Sequence, residues 1–507
     1  MKKKNDRFFV VLNMLCAISA ALVNYFVNFF ITPYITENVG VDAYGFISLA
    51  ITMISYIDII AVALNAFAGR YISIAYHEKR YDKANVYFNS VIISNLVFSI
   101  LLILPSSIFI INIQNILNVP NRLIFDVKVL FWVIIINYVV SLAGVGYSTA
   151  TFIVNRIDKS ERVKALSHLV KAVVIFILCS FFSPHVWYIG LSYVIASVLI
   201  LFTNIKFTHT LTPELYFAPK LFSIKAVLEL LSAGIWNSLN ALGNVLNDGL
   251  DLLITNRMLS AESMGQVSVG KNLSTFYNVL LSAICNAFKP RQLRFYAEGK
   301  IDDLINELKI SMRCCGFITT LIFAGFVSCG KMFLQCWIPT QDINIIYPIT
   351  CICMAGNLIV GSVTPLYYVY TLTKRLKFPS LITIFMGFAN VIGMYLLLTK
   401  TSLGLYAVVL TTAVLNTTIH FFDAPLYSAT CLNVKLRTFY PEIIKHLFSC
   451  LITTISLCLL VKTLPVATSW SMLVLVAIPC VIVGCFMAAV TTFTRNEIKY
   501  FLKKIVK

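Results

Sequence analysis

Long apolar blocks alternate with short polar intervals from one end of this chain to the other. A bilayer core of about 30 Å is crossed by about 20 apolar residues in a helix. By that measure the sequence predicts fourteen membrane helices, at 8–31, 45–66, 87–111, 124–154, 163–183, 186–205, 227–256, 266–288, 308–330, 344–372, 380–399, 403–422, 443–463 and 469–491. The intervals between them reach about 20 residues, which leaves no room for a soluble catalytic domain. The predicted class is an all-α polytopic membrane protein.

The basic residues test this count. Placed on alternate sides of the spans, 32 of the 40 Lys and Arg fall on the side of both termini and six on the other, while Lys171 and Lys271 lie inside spans. Each interval on the first side holds at least three basic residues, and none on the other holds more than two. A missed or extra helix would invert the pattern downstream, and it never inverts. The basic side is cytoplasmic by the positive-inside rule, so both termini are expected inside. The run after Met1-Lys2-Lys3-Lys4 extends from Phe8 to about Ile31, longer than a signal-peptide core, and is read as a retained first helix.

Composition agrees. Hydrophobic residues make up 59% and charged ones 12%, against about 25% charged in a soluble domain. The net charge of +18 would suit a nucleic-acid binder, but its distribution between spans is topological, so no nucleic-acid partner is expected. Most of the fourteen cysteines lie in or beside apolar segments, and Cys351 and Cys353 have no His or carboxylate beside them. They read as small buried hydrophobes rather than disulfides or metal ligands. The run from Gly325 to Lys331 ends in Met332 where a phosphate-binding loop needs Ser or Thr. Gly144 and Gly146 lack the third glycine of a dinucleotide site, and the six histidines show no metal spacing. No cofactor and no enzymatic chemistry is expected.

A short internal repeat organises the spans. Asn65-Ala66-Phe67 followed by Arg70 closes the second span, and Asn286-Ala287-Phe288 followed by Arg291 closes the eighth at an offset of 221 residues. Lys79 and Asp82 align with Lys300 and Asp303 at the same offset. Six intervening spans make this a parallel repeat. It predicts a six-helix lobe at 1–210, a second at 211–430, and two further helices with a basic tail at 431–507.

Polar groups inside spans carry the functional signal, because burying them in hydrocarbon is costly. The seventh span holds Asn237, Asn240, Asn244, Asn247, Asp248 and Asp251 at steps of three and four, which places them on one face of a regular helix. Such a stripe either lines a water-filled space or supplies interhelical hydrogen bonds. The first span, its counterpart in the repeat, carries Asn13, Asn24 and Asn28, and the eighth adds Lys271, Asn272, Tyr277 and Asn278. Asp58, near the middle of the second span, is either a proton or cation site or a hydrogen-bonded structural acid. Lys271 is near enough to the outer end to snorkel. Arg70 and Arg291 either anchor topology or hold a lipid diphosphate at the inner leaflet, for which a bidentate guanidinium is suited. The stretches 70–86 and 291–309 are candidate basic helices on anionic headgroups.

The first span ends in Thr32-Pro33-Tyr34-Ile35 and leads into Val39-Gly40-Val41-Asp42-Ala43-Tyr44-Gly45; the next closes with Gly69-Arg70-Tyr71 and a basic amphipathic stretch. With fourteen spans in two six-helix halves, this resembles the polysaccharide (O-antigen, Wzx-type) flippases of the multidrug/oligosaccharidyl-lipid/polysaccharide exporter superfamily. The resemblance implies two lobes around a central cavity, alternating access, and a polyprenyl-diphosphate-linked oligosaccharide carried across the bacterial cytoplasmic membrane for O-antigen or capsule synthesis. It puts the cavity residues on spans 1, 2, 7 and 8. Under it, Asn24, Asn28, Asn237, Asn240, Asn244 and Asn247 line the cavity, the last four meeting sugar hydroxyls. Arg70, Lys271 and Arg291 meet the diphosphate, and Asp58, Asp248 and Asp251 couple an ion. Expected partners are the lipid-linked oligosaccharide, membrane lipids, and a polysaccharide polymerase and glycosyltransferases. The alternative is a cation-coupled multidrug antiporter of the same superfamily. A membrane glycosyltransferase or polymerase would need a large outer loop or a catalytic acid cluster, and neither is present.

Overall fold

The computed structural model describes residues 2–493, with the side chains of residues 2–11, 14, 15, 18, 276–280, 283 and 287 outside the description. The side chains of Tyr277 and Asn278, and the basic tail from Arg495 to Lys507, therefore lie outside the described residues. Those described residues that are ordered into elements are helical throughout, without a strand. Among the described residues, eleven segments are long and apolar enough to cross a membrane, and they match eleven of the fourteen predicted spans. The other three, the first, seventh and eighth, are helical as well, and these are the spans that carry the polar stripes.

The chain divides into two compact units. The first is Met1–Gly265 with Thr383–Phe388, and the second is Gln266–Ile382 with Ala389–Lys507. In the first unit α1 (Lys2–Asn38), α2 (Val41–Asn65), α3 (Ala68–His77), α4 (Tyr81–Ile111), the single turn α5 (Ile113–Ile116), α6 (Ile124–Ile153), α7 (Ile157–Phe181) and α8 (Trp187–Leu211) cover six predicted spans. The seventh is α9 (Ile224–Asn244), a π-helical turn Val245–Gly249, and α10 (Asp251–Met258). Helix α11 (Ala261–Ala297) begins here and continues into the second unit. There it is followed by α12 (Ile301–Trp337), α13 (Ile343–Gly356), α14 (Leu358–Val363), α15 (Tyr367–Leu372), α16 (Lys377–Lys400), α17 (Leu405–Cys431), α18 (Tyr440–Lys462) and α19 (Trp470–Thr492).

This division by packing falls after the seventh span because α9 lies along α2 at glycine distance. A methyl built on Gly234 would land on the Ala63 carbonyl. Small residues let helix backbones approach closely where there is no hydrophobic drive between helices. Along the same seam the Ser238 hydroxyl donates to the Ile59 carbonyl, and the Tyr56 hydroxyl donates to the Gly249 carbonyl at 2.5 Å.

Four helix ends share one form of cap. Lys79 and Gly299 have φ of 59° and 71°, and Asn155 and Lys374 have φ of 54° and 57°. Each left-handed residue is followed by an amide that reaches back five residues: Arg80 to Ala75, Lys300 to Phe295, Arg156 to Thr151 and Arg375 to Tyr370, at 2.8–3.0 Å. These are Schellman caps, which satisfy the last carbonyls of a helix. The pairs are separated by 220 and 219 residues, one and two short of the repeat's offset of 221, and all four sit on the basic side. Each of the two stretches read as candidate basic helices is a helix–turn–helix corner. Arg70 to His77 belong to α3, whose Ala68, Ile72 and Ala75 are buried against Tyr87 and Phe88 of α4, and 291–309 spans the end of α11 and the start of α12.

The segment joining the two sequence halves is stitched to α4. The Asn85 side chain donates to the Glu214 carbonyl at 2.8 Å and accepts from the Tyr216 amide at 3.0 Å. Asn89 does the same with the Tyr216 carbonyl at 3.0 Å and the Ala218 amide at 2.7 Å. The Ser90 hydroxyl accepts from the Ser223 amide at 3.0 Å. In the second unit, Leu308, Met312, Ile359, Val363, Leu366, Phe439 and Ile443 form a core under α18. Arg313 of α12 makes a bidentate pair with Glu442 of α18, donating at 2.7 and 2.9 Å, and both side chains are largely buried.

Candidate functional site

The seventh span is not one regular helix. A π turn inserts an extra residue into the helical count, so positions beyond it rotate away from the face they would occupy at 3.6 residues per turn. The polar stripe is redistributed accordingly. Asn240, Asn244 and Asp248 are exposed, Asn237 is half-buried, and Asn247 and Asp251 turn inward, with Asp251 only 1% exposed. The single face expected over 237–251 is therefore corrected to an exposed ladder of Asn240, Asn244 and Asp248 beside a buried pair. The Asn247 amide reaches the Asp248 carboxylate at 3.4 Å. The Gly249 carbonyl, at the end of the π turn, is the one that the Tyr56 hydroxyl satisfies. Irregular backbone at membrane depth needs such a partner.

Asp58 faces elsewhere. Its Oδ1 accepts from the Tyr138 hydroxyl of α6 at 2.7 Å, beside a small core of Ala61, Tyr138 and Leu142. On the same helix the Tyr56 hydroxyl and the Ile59 carbonyl meet the seventh span, so Asp58 and that span lie on different sides of α2.

On α1, the Asn28 amide donates to the Asn24 Oδ1 at 3.5 Å. The same oxygen lies 3.5 Å from Nζ of Lys171 on α7, and that ammonium sits 4.1 Å above the ring of Tyr193 on α8. Lys171 is 2% exposed, so the two asparagines frame a buried cation that the stripe alone did not single out. The signal was in the sequence: Lys171 lies well inside the predicted span 163–183. Arg70 at the start of α3 is exposed at the basic face. Asn13 binds the α6–α7 corner instead, donating to Asn155 and accepting the Asp158 amide at 2.6 Å.

In the second unit, Arg291 is exposed and pairs with the buried Glu307 at 3.2 Å, and Lys271 is half-buried. The structure also places a polar ladder here that sequence reading missed. The Tyr370 hydroxyl donates to Asp423 at 3.4 Å, and one turn away Tyr367 pairs with His420. The predicted twelfth span ended at residue 422, which left Asp423 outside it. The helix runs on through Pro425 to Cys431 and is capped beyond it at the left-handed Asn433. Among the described residues no group of three His, Cys, Asp or Glu could hold a metal ion, and all fourteen cysteines are free thiols.

A family model described as "Polysaccharide biosynthesis protein" matches residues 10–295. A chain of Bacillus subtilis (strain 168), described as "Uncharacterized membrane protein EpsK", is 27% identical over 497 residues, 98% of each chain. Among solved structures, the lipid II flippase MurJ in an inward closed conformation superposes with a TM-score of 0.69, over 98% of this chain and 100% of that one, at 14% identity. A multidrug resistance MATE family transporter of the MOP superfamily, inward-facing, gives 0.63 over 82% of this chain and 98% of its own, at 13% identity.

Proposed function

Because the chain belongs to the family of polysaccharide biosynthesis proteins, we propose that it carries a polyprenyl-diphosphate-linked oligosaccharide across the bacterial cytoplasmic membrane for surface polysaccharide assembly, as O-antigen or capsule. It is a multi-pass membrane protein with the fold of MOP-superfamily transporters, and the solved structures it resembles are titled as a lipid II flippase and multidrug transporters. One observation favours a lipid-linked cargo over a drug. The flippase fold covers 98% of this chain, whereas the multidrug transporter folds cover 82–84%. The shortfall has about the length of α18, α19 and the basic tail, and nearly the whole of this chain has a counterpart in the lipid II flippase fold.

In this reading the exposed Asn240 and Asn244 meet sugar hydroxyls, with Asn24, Asn28, Asn237 and Asn247 supporting them. Arg70, free to face headgroups, takes the diphosphate at the inner leaflet, and Lys271 and Arg291 serve the same group later in the cycle. Asp58, Asp248 and Asp251 couple transport to a proton or cation gradient. The lobes 1–210 and 211–430, the added helices 431–507 and cytoplasmic termini belong to the same proposal.

The test is reconstitution of the purified chain in liposomes carrying a polyprenyl-diphosphate oligosaccharide, with leaflet position read by a membrane-impermeant glycosidase. Transbilayer exchange should be fast with the wild-type chain and should stop in the Asp248→Asn, Asp251→Asn double variant, which should remain folded. Exchange no faster than in protein-free liposomes, together with efflux of cationic dyes, would establish the antiporter instead.

A further inference from the structure

The second unit holds a trough that the transport reading does not use. It lies between the basic-side ends of α17 and α18, has a volume of about 600 Å³, and is walled by Phe422, Leu426, Leu436, Tyr440 and Ile444. Arg437 is the one charged side chain in its lining. Phe422, Leu436 and Ile444 are each more than half exposed, so the trough opens outward.

Its position is fixed by tight local structure. Asn433 is left-handed at φ 54°, and the Val434 amide caps α17 by reaching the Ala429 carbonyl at 3.0 Å. The Thr438 amide closes a turn onto the Lys435 carbonyl at 2.9 Å. Leu432 and Phe439, on either side of that turn, are buried in the core. Arg437 is thus held at the mouth of the trough, exposed, with no carboxylate paired to it among the described residues. The nearest acid along α18, Glu442, is already committed to Arg313.

We propose that this trough is a binding site for an anionic glycerophospholipid, with an acyl chain along the apolar walls and the phosphate on Arg437. The charge asymmetry puts the 432–439 loop at the headgroup level of the inner leaflet, where Tyr440 supplies an aromatic interfacial anchor. A guanidinium can meet phosphate oxygens in a bidentate fork, and basic pockets between membrane helices on the cytoplasmic side are suited to acidic headgroups. Lys435 and Lys445, both exposed, flank Arg437 and add to the preference for negative charge over a zwitterionic headgroup. The lining offers no Asn, Gln, Asp or Ser, so a glycan would find little to bond there. This argues for a phospholipid rather than the glycan-bearing cargo, and the site stands whether or not the transport reading does.

The experiment is native mass spectrometry of the purified full-length chain titrated with phosphatidylglycerol or phosphatidylcholine of matched chains. The wild type should retain phosphatidylglycerol in preference. Arg437→Gln should reduce that preference about fivefold, the ratio that matches about 1 kcal/mol for one basic residue at an anionic leaflet. Ile444→Trp, which fills the trough, should lower retention of both lipids. Thermal unfolding of each variant checks that it is folded. An unchanged lipid preference in folded Arg437→Gln, or no preference in the wild type, would overturn the proposal. So would displacement of phosphatidylglycerol by equimolar undecaprenyl phosphate, which would assign the trough to the isoprenoid carrier.

Discussion

The pair formed by Arg313 and Glu442 ties the added helices to the rest of the second unit, and breaking it should be costly. Glu442 lies in the first turn of α18 behind Pro441, where the helix dipole favours a carboxylate. Its side chain is 5% exposed and that of Arg313 15%, with donors at 2.7 and 2.9 Å to its two oxygens. Glu442→Gln keeps the shape and leaves the guanidinium largely buried without its counter-charge. Removing one partner of a buried ion pair typically costs about 3–5 kcal/mol, whereas replacing both with apolar residues is often neutral. Glu442→Gln should therefore lower stability by about that amount, and Arg313→Met with Glu442→Leu should recover most of it. Unfolding in detergent can be followed with a thiol-reactive fluorophore, because Cys450 of α18 and Cys480 of α19 are free and buried. A loss below about 1 kcal/mol in Glu442→Gln, the range of an exposed pair, would refute the reasoning. Strictly additive losses in the double variant would do the same.

Three further outcomes follow from the geometry. Gly234→Val drives a side chain into the Ala63 backbone and should destabilise by about 1–3 kcal/mol, while Gly325→Ala, with open space at its Cβ, should not; equal effects would contradict the close α2–α9 seam. Asn89→Ala leaves the Tyr216 carbonyl and Ala218 amide without their partner at about 1–3 kcal/mol for each group that stays buried, and limited proteolysis should then cut faster between residues 212 and 223. A linker as resistant as in the wild type would show that Asn89 does not hold it. Asp58→Asn should stop transport, whereas Tyr138→Phe, which removes only the 2.7 Å donor, should leave it running; equal loss in both would make Asp58 a structural acid.

Much of this architecture could be read from apolar length and the placement of Lys and Arg, because the bilayer constrains both so strongly. The N-A-F motifs suggest a repeat at an offset of 221, and the left-handed corners at Lys79 and Gly299 and at Asn155 and Lys374 fall within two residues of that spacing. What periodicity could not foresee was the π turn at Val245–Gly249, since one extra residue in the helical count leaves no compositional mark yet rotates Asn247 and Asp251 away from Asn244. Nor could it foresee which partner a buried polar group selects. Asp58 finds Tyr138, Asn24 finds Lys171 and Asp423 finds Tyr370, each from a helix distant in sequence. Span ends judged by hydropathy alone also cut α17 short, which hid Asp423.

The central claim, that the cargo is a lipid-linked oligosaccharide, is tested most directly by deleting the gene in its host and determining which leaflet holds the lipid-linked glycans. The account predicts a complete glycan-lipid accumulating on the cytoplasmic leaflet with loss of the surface polymer. Normal glycan export with increased sensitivity to cationic drugs would contradict it.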